Sequence, residues 1–377
     1  MDNSLEQETI LNGSSTSNYR LMQCPQLGRY LVATRDIKRG EAILKDQPLV
    51  TGPQKASNLL CPGCYQPTET NCLLCGWPMC SSSCTGVKNH EPECTFLRSR
   101  NDWNPSVDRD WNQLSDCLMV VRCILFKKTD QRKWKRMLEM EANWDKWTGS
   151  PLFATANEIE QIIRNEFGLT PTEFPKSEIL VVQAILDINA YEVRMCDSNV
   201  QAVYTLASLA EHNCNPNTHK TICSMYRIFL FFNHFHPIDI HSPGAHISTT
   251  YCDILWPTWH RQKYLQWSKF FICKCERCLS PTELGSHLAA IVCMDCSKSR
   301  ETVPAVPLLS ENESWETIAK NYHCTTCNTI FPAYECQLTF KKAEHELSEL
   351  DKDVSTESIP AFEVCLIKAK SKLSIQN

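Results

Sequence analysis

The sequence predicts an α+β protein whose strand-forming region is interrupted by a metal-binding segment and by helices. Residues 28–52 show β-forming alternation on both sides of the turn sequence Lys38-Arg39-Gly40, which is typical of two short strands. Residues 108–147 instead carry apolar side chains at helical spacing. Between these regions, residues 61–94 contain seven cysteines and one histidine, a density typical of a zinc module.

The predicted strands and helices follow one another along the chain. Residues 30–34 are rich in β-forming side chains, and the alternation resumes over 41–50. Leu114, Leu118 and Val121 lie on one face of a predicted helix, and a second helix is expected after Asp130. The remaining predicted elements are amphipathic helices over 156–167 and 177–189, short strands through 251, a short helix over 257–272 and two helical stretches in 338–375.

The metal-binding segment has enough ligands for two zinc ions. Its order is Cys61-x2-Cys64-x7-Cys72-x2-Cys75-x4-Cys80-x3-Cys84-x5-His90-x3-Cys94. Each x2 pair lets one tight turn present two thiolates to an ion, and eight soft ligands suffice for two tetrahedral sites. A segment this short cannot bury a sufficient core, so metal binding would supply its folding free energy. The alternative is a disulfide cluster, which is typical of secreted chains.

Composition and charge restrict the class of protein. The first 19 residues lack the basic and apolar regions of a signal peptide, and no stretch approaches the roughly 20 apolar residues of a membrane span. The 23 cysteines are therefore expected in a reducing, intracellular setting, where cysteine pairs indicate metal ligands. A net charge of -5 argues against a dedicated nucleic-acid-binding protein, and 377 residues predict two or three structural units.

A second cysteine group is predicted to bind one further ion. Cys273-x-Cys275-x2-Cys278 supplies three thiolates, and a tetrahedral zinc site needs a fourth ligand. Cys214 is the candidate that completes the set from a distance along the chain.

A third group has the spacing of a zinc ribbon. Cys293-x2-Cys296 and Cys324-x2-Cys327 are two knuckles that together close one site. The alternative is two independent turns with reduced, partly buried thiols. The cysteines outside all of these groups are expected to act as small hydrophobic residues: Cys24, Cys117, Cys123, Cys196, Cys223, Cys252, Cys336 and Cys365.

Two polar stretches have more than one interpretation. The basic residues of 127–136 suit either a nucleic-acid contact or a solvated helix face, and Glu139, Glu141 and Asp145 on the same helix favour the solvated face. Five histidines between 219 and 246 suggest another metal site, but scattered histidines in a divergent loop are the preferred interpretation.

Several motifs resemble, in order, those of one known family. Residues 28–41 resemble the opening of a SET domain, and the eight-ligand cluster resembles a MYND zinc finger inserted in it. Residues 189–193 resemble the segment before the cofactor site, and residues 208–217 resemble the Asn-His-x-Cys-x-Pro-Asn motif. Residues 244–251 occupy the place of the Gly-Glu-Glu-Ile…Tyr block, and residues 271–278 resemble the post-SET zinc motif. The chain is therefore similar to SET-and-MYND proteins, most of all to their arthropod SmydA branch.

The resemblance implies a methyltransferase that moves a methyl group from S-adenosylmethionine to a lysine amine of a histone or non-histone protein. It implies that Tyr251 is the catalytic tyrosine lining the lysine channel. The cofactor-binding residues that it implies are Gly28, Arg29, Tyr30, Asn189, Glu211, His212, Tyr251 and Phe271, the last packing on the adenine. It assigns one finger zinc to Cys61, Cys64, Cys80 and Cys84, and the other to Cys72, Cys75, His90 and Cys94. With the other two cysteine groups, three to four zinc ions per chain are expected.

Three positions depart from the family pattern. Tyr30 stands where a second glycine is usual, and a side chain there restricts close backbone approach to a ligand. Glu211 replaces the asparagine before His212, so its carboxylate would repel the cofactor's carboxylate or pair with its ammonium group. The Gly-Glu-Glu-Ile sequence becomes Gly-Ala-His-Ile at residues 244–247.

Two functions therefore compete. The first is an S-adenosylmethionine-dependent protein-lysine N-methyltransferase with Tyr251 as its catalytic residue. The alternative is a weakly active or inactive SET scaffold, with Tyr251 a buried structural tyrosine, that regulates transcription through protein contacts. The MYND finger is expected to bind proline-containing peptides of regulatory partners. A monomer in the cytoplasm, the nucleus or both is expected, without a membrane or nucleic-acid partner.

The motifs also set expected domain boundaries. In order, they are a disordered N-terminus over 1–19, the first SET part over 20–60, the MYND finger over 61–94, a helical insert over 95–190, the second SET part over 191–255, a post-SET zinc region over 256–335 and a truncated helical tail over 336–377.

Overall fold

The computed structural model describes residues 9–12, 18–25, 27–55, 57–194, 199–222, 228–232, 243–297, 304–307 and 321–332. The chain divides into two compact units. The first unit contains residues 1–254 and 264–273, and the second contains 255–263 and 274–377. Among the described helices, none combines the length and apolar character needed to cross a membrane. The helical stretches predicted in 338–375 lie outside the described residues.

Three small sheets of antiparallel strands form most of the β-part of the first unit. Their members are β1 (Thr9–Asn12), β2 (Tyr19–Cys24) and β3 (Gly28–Ala33) in one sheet, β5 (Val50–Pro53), β9 (Asn199–Val203) and β8 (Ala190–Arg194) in the second, and β11 (Thr218–Ile222), β12 (Ile228–Phe232) and β4 (Ala42–Asp46) in the third. A buried apolar cluster, which includes Leu31, Leu44 and Leu230, holds members of these sheets together.

The strands correct two predictions. Residues 9–12 were expected to be disordered, but they form β1, which pairs with β2 at the edge of the sheet. Residues 28–52 were expected to form two strands, but they contain β3, β4 and the start of β5. The second break falls at Pro48, whose nitrogen has no hydrogen to donate to a sheet.

The helical insert confirms the predicted periodicity. The helix α1 (Val87–Arg98) begins within the finger segment and ends in the insert. The other helices of the insert are α2 (Trp111–Thr129), α3 (Gln131–Leu138), α4 (Trp144–Trp147), α5 (Pro151–Ile162), which continues into a π-helical turn over Ile163–Phe167, and α6 (Lys176–Asn189). Asp130 caps α3 by accepting hydrogen bonds from the backbone N–H groups of Arg132 and Lys133. The central helix α2 is buried on most sides and carries much of the core of the insert.

The basic stretch at the end of α2 lies on a face with acidic partners. Lys127 contacts the Glu178 carboxylate at 2.7 Å, and Lys128 contacts Glu173 at 2.5 Å. Both pairs are partly exposed, which agrees with the interpretation of this stretch as a solvated face.

Short backbone pairings join the segment 244–249 to two distant parts of the first unit. The residue before β13 (Ser248–Thr249), Ile247, donates its N–H to the Leu31 carbonyl oxygen of β3 at 2.9 Å. The strand β13 itself pairs in parallel with β10 (Glu211–His212). The segment therefore lies beside both β3 and β10, the two elements that carry most of the predicted site residues.

The second unit contains a four-stranded antiparallel sheet in the order of the chain. Its strands are β14 (Ile291–Val292), β15 (Pro304–Pro307), β16 (Asn321–Cys324) and β17 (Ile330–Pro332), accompanied by the short helices α8 (Glu276–Leu279) and α9 (Met294–Ser297). The helix α7 (Thr258–Ser268), predicted from the sequence, has its first residues in this unit and its last residues in the first unit. Glu283 is buried and pairs with both Arg261 and Arg277.

Candidate active site and metal centres

The first cysteine cluster separates into two sets of four ligands. One set contains Cys61, Cys64, Cys80 and Cys84, and the other contains Cys72, Cys75, His90 and Cys94; within each set the ligand atoms all lie within 4.8 Å of one another. The Sγ–Sγ distances of 3.7 Å for Cys61–Cys84 and 3.4 Å for Cys64–Cys80 are close to the ~3.8 Å edge of a tetrahedron with ~2.3 Å Zn–S bonds. The residues therefore fit zinc in the interleaved arrangement that the family resemblance implies.

Local geometry explains why these loops present their ligands. A two-stranded hairpin of β6 (Thr70–Asn71) and β7 (Pro78–Met79) carries the Cys72–Cys75 turn. Gly76 ends this turn with φ +82°, and a Cβ at this position would lie 2.3 Å from the Pro105 carbonyl oxygen. Only glycine fits there, because any side chain would collide with the backbone. The helix α1 supplies the last two ligands of this set, His90 and Cys94.

A buried hydrogen bond to a carboxylate fixes the orientation of His90. Its Nδ1 lies 2.9 Å from Glu93 Oε1, and its Nε2 lies 3.3 Å from Cys75 Sγ. A carboxylate only accepts hydrogen bonds, so Nδ1 carries the proton and the Nε2 lone pair faces the thiolates. This is the arrangement in which a carboxylate orients a metal-binding histidine.

Arg122 of α2 completes this buried network. Its Nε donates to Glu93 Oε2 at 3.0 Å, and its other nitrogens donate to the carbonyl oxygens of Thr51 and Pro62 and to the Tyr65 hydroxyl. Burial acts to raise the pKa of Glu93, but the charge of Arg122 and the hydrogen bond from His90 lower it below its usual value. The carboxylate therefore stays ionised, and it links the finger to α2.

The ribbon cysteines of the second unit also come together. The Sγ atoms of Cys293 and Cys327 are 3.5 Å apart, and those of Cys296 and Cys324 are 3.7 Å apart. These four thiols fit one tetrahedral zinc ion, with strands β14 to β17 holding the knuckles.

The remaining predicted zinc site involves cysteines of both units. In the first unit, Cys214 Sγ lies 3.9 Å from Cys273 Sγ, close to the edge length expected for two thiolates on one zinc ion. Cys275 and Cys278 belong to the second unit, and the joint site of four cysteines stays a prediction.

The cysteines outside the predicted zinc sites are only partly described. Cys24, Cys117, Cys123 and Cys252 are buried, as expected of small hydrophobic residues. Four others, Cys196, Cys223, Cys336 and Cys365, lie outside the described residues, as do His234, His236 and His241 of the histidine-rich stretch.

Tyr251 and His212 form the centre of the candidate active site. Their ring centroids are 5.1 Å apart, and the backbone N–H of Tyr251 donates to His212 Nδ1 at 3.0 Å. His212 Nδ1 is therefore an acceptor, so its Nε2 carries the proton and donates to Cys214 Sγ at 3.2 Å. The Phe271 ring also lies beside the histidine, at a centroid distance of 5.7 Å.

The Tyr251 hydroxyl is held in its neutral form. It donates to the Ala210 carbonyl oxygen at 2.8 Å. Burial raises the pKa of Tyr251, and the nearby negative charge of Glu211 raises it further. The phenol therefore acts as a hydrogen-bonding and packing group at neutral pH rather than as a base.

Two of the other predicted cofactor residues, Arg29 and Asn189, form hydrogen bonds with the loop after α3, which sequence reasoning missed. The Arg29 guanidinium donates to the Glu139 carbonyl oxygen. The Asn189 amide donates to the Glu141 carbonyl oxygen at 2.7 Å and to Ile185 within its own helix at 2.8 Å. Gly28 has φ +67°, and a Cβ there would meet no atom of the described residues within 4 Å, so that part of the structure leaves open space around it. The loop after α3 thus links Arg29 to the end of α6.

The three departing positions lie in one group. Tyr30, only 1% exposed, stacks on the His246 ring with a centroid distance of 4.8 Å and an angle of 20°. His246 Nδ1 lies 2.9 Å from Glu211 Oε1. Cys252 is a further residue near the candidate active centre that sequence reasoning did not identify. Its Sγ lies within 4.8 Å of the ligand atoms of His212 and Cys214.

The match to a family model defines the class of protein. Residues 28–235 match the family model of the SET domain, and the chain belongs to the SET domain family. It is 28% identical over 339 residues to SET domain-containing protein SmydA-8, isoform B, of Drosophila melanogaster, covering 84% of this chain and 68% of the fly protein. It is 27% identical over 229 residues to N-lysine methyltransferase SMYD2 of Bos taurus, covering 58% of this chain and 47% of that protein. These similarities confirm the resemblance to SET-and-MYND proteins of the SmydA branch.

The chain spans about two thirds of the length of the fly relative and about half of the bovine one. A solved structure, the SET domain of LSMT bound to lysine and AdoHcy, covers 70% of this chain and 54% of its own, at 16% identity and a TM-score of 0.34. Similarity at this level adds nothing to the family assignment, which rests on the sequence match.

Proposed function

We propose that the protein is a protein-lysine N-methyltransferase of the SET-and-MYND type that uses S-adenosylmethionine. The observation that carries the proposal is the position of Tyr251 in a chain of the SET family: its hydroxyl is buried and neutral, and its ring lies beside His212. The substrate is a lysine side chain of a histone or non-histone protein. N-lysine methyltransferase SMYD2, to which the chain is similar, supports this substrate class.

The reaction is a displacement at the methyl carbon. A lysine nitrogen forms a bond to the methyl carbon, the carbon–sulfur bond breaks, and the sulfonium becomes a neutral thioether. A lysine side chain has an unperturbed pKa of about 10.4, so it must lose a proton to water before it attacks. Because Tyr251 stays neutral, its role is to align the amine and exclude water, which favours the uncharged nucleophile.

The residues proposed to hold the cofactor include His212, which lies beside this tyrosine. His212 and Phe271 offer a ring surface, and Gly28 leaves open space at the edge of β3. Asn189 has its amide nitrogen engaged with two carbonyl oxygens, which leaves its own carbonyl oxygen as an acceptor. When bound, the cofactor supplies the methyl group.

The two zinc sites of residues 61–94 are proposed to form a MYND finger that binds proline-containing peptides of regulatory partners. The interleaved ligand sets and the buried link through Glu93 support a rigid, metal-dependent module. We also propose a cytoplasmic or nuclear location, based on the many reduced cysteines.

Tyr30 favours a second candidate function, a SET scaffold with little activity. Its buried ring fills the position where the family has a glycine, which reduces the room for a ligand next to β3. The two functions predict different results for cofactor binding.

Calorimetric titration of zinc-loaded protein with S-adenosylmethionine separates them. Micromolar binding, followed by transfer of a radiolabelled methyl group to lysines of a protein array, supports the methyltransferase. Absence of heat at millimolar cofactor contradicts it and supports the scaffold. In that case, peptide pull-downs with the full chain test the partner-binding role.

A further inference from the structure

The three positions that depart from the family pattern form one chain of side-chain contacts. Tyr30 stacks on His246, and His246 donates to Glu211. The backbone register explains the contacts, because His246 lies opposite Val32 of β3 and Glu211 lies opposite Ser248. Tyr30 and Glu211 are therefore the diagonal neighbours of His246 on either side, a distance that aromatic and long side chains bridge.

The contacts fix one carboxylate oxygen of Glu211, whereas the other receives no hydrogen bond within the described part of the chain. Glu211 Oε1 is held by His246 Nδ1 at 2.9 Å. Glu211 Oε2 is buried, and no residue that the structure describes forms a hydrogen bond to it. A buried carboxylate oxygen that lacks a donor is costly, so such a group indicates a missing donor.

The site adjoins the candidate active centre. Glu211 precedes His212 in β10, and its charge acts on the Tyr251 phenol. The donor that completes Glu211 is therefore sought among the reactants of the proposed methyl transfer, on which this inference rests. Two of them carry a primary ammonium group: the amino-acid part of S-adenosylmethionine and the substrate lysine.

We propose that Glu211, oriented by His246 and Tyr30, accepts a primary ammonium group of a reactant through Oε2, and that this group belongs to the cofactor. The chemistry of the reaction distinguishes the ammonium group of the cofactor from that of the substrate lysine. A carboxylate beside an ammonium favours its charged form, whereas the substrate lysine must become neutral to attack. Glu211 thus suits an ammonium that stays charged throughout, and it replaces the usual amide by a direct ion pair.

The test compares two ligands on the zinc-loaded full chain by calorimetry. One is S-adenosylhomocysteine, and the other is its analogue with hydrogen in place of the amino group. Glu211→Gln keeps the size of the side chain but removes its charge. The expected result is a 10- to 100-fold weaker affinity for S-adenosylhomocysteine in Glu211→Gln, as for a lost charged hydrogen bond, with unchanged affinity for the analogue.

Two further variants make the result specific. Glu158→Gln applies the same change to an exposed residue of α5, and it should leave both affinities unchanged. His246→Ala should weaken S-adenosylhomocysteine but not the analogue, because Glu211 loses its orientation. If Glu211→Gln fails to fold, as judged by its melting curve, His246→Ala carries the test.

The alternative is that Glu211 binds the ammonium group of the substrate lysine. This alternative is tested with n-butylammonium, a mimic of the lysine side chain, whose binding is measured by ligand-observed NMR. Binding of n-butylammonium that depends on Glu211, together with S-adenosylhomocysteine binding that does not, overturns the assignment to the cofactor. Equal affinities of wild type and Glu211→Gln for both probes overturn the ammonium site itself. If S-adenosylhomocysteine does not bind to the wild type, the proposed function is overturned. The assignment of the ammonium group at Glu211 to the cofactor is then overturned as well.

Discussion

Glu93 should control the zinc affinity of one finger site and leave the other unaffected. The perturbation is Glu93→Gln, which keeps the shape of the side chain and removes its charge. Glu93 is 0% exposed. Its carboxylate accepts two hydrogen bonds from Arg122 and one from His90 Nδ1. A glutamine cannot satisfy these three donors, because its amide nitrogen is itself a donor.

The expected magnitude follows from these contacts. Loss of the carboxylate that orients a metal-binding histidine typically costs 10- to 100-fold in metal affinity, or about 1.4–2.8 kcal/mol. The change also leaves the buried Arg122 charge without its partner, which costs about 3–5 kcal/mol of folding stability. The site of Cys61, Cys64, Cys80 and Cys84 has no contact with the Glu93 carboxylate among the hydrogen bonds described, so its affinity should stay the same.

The assay is stepwise zinc release to a coloured chelator, with the total zinc measured by elemental analysis. In Glu93→Gln, one ion per chain should leave at a 10- to 100-fold lower chelator concentration. Glu91→Gln is the matched control, since Glu91 lies on the same helix and is exposed. Unchanged release from folded Glu93→Gln protein would refute the reasoning, as would equal weakening of both finger ions.

Three other outcomes are expected. Tyr251→Phe should abolish methyl transfer but weaken S-adenosylhomocysteine binding by less than about tenfold, since a single neutral hydrogen bond is lost; retained transfer in a radiolabel assay would contradict the role of Tyr251. Burial lowers the pKa of Lys269 to about 8, so between about pH 8 and 10.5 the unfolded chain binds more protons at this residue than the folded chain. Denaturant melts should then show wild type gaining about 1–2 kcal/mol over Lys269→Gln from pH 7.5 to 9.5, and a constant difference would speak against this burial. Cys324→Ser should lower the zinc content by one ion per chain in elemental analysis. An unchanged zinc content would contradict the assignment of the ribbon cysteines to a zinc site.

The zinc ligands were predictable because their signal is local. A two-residue spacing already places two thiolates on one turn, and the structure brings together the knuckles Cys293–Cys296 and Cys324–Cys327. The helices were equally predictable from the sequence, because apolar periodicity and the Asp130 cap are local features. The interleaving of the two finger sites came from the family resemblance and not from spacing.

The partners of buried charges could not be predicted from the sequence. Glu93 follows His90 by three residues, a spacing that suits contact on one helix, but nothing local indicates Arg122 as its other partner. In the same way, Tyr30, Glu211 and His246 each looked like an isolated departure. Their contact depends on strand register between residues far apart in the chain, which a one-residue slip would destroy.

The pairing of segment 244–249 with both β3 and β10 sets the order in which the site can be completed. The segment must be available before Tyr30, His246 and Glu211 can meet, yet it follows β3 by more than 200 residues. A ribosome adding 5–20 residues per second takes roughly 10–40 s to synthesise that interval. The finger and the helical insert lie wholly within it, so zinc binding and helix formation can precede the closure of the active site during synthesis. A nascent chain would therefore acquire its metal-dependent module well before it acquires any capacity for methyl transfer.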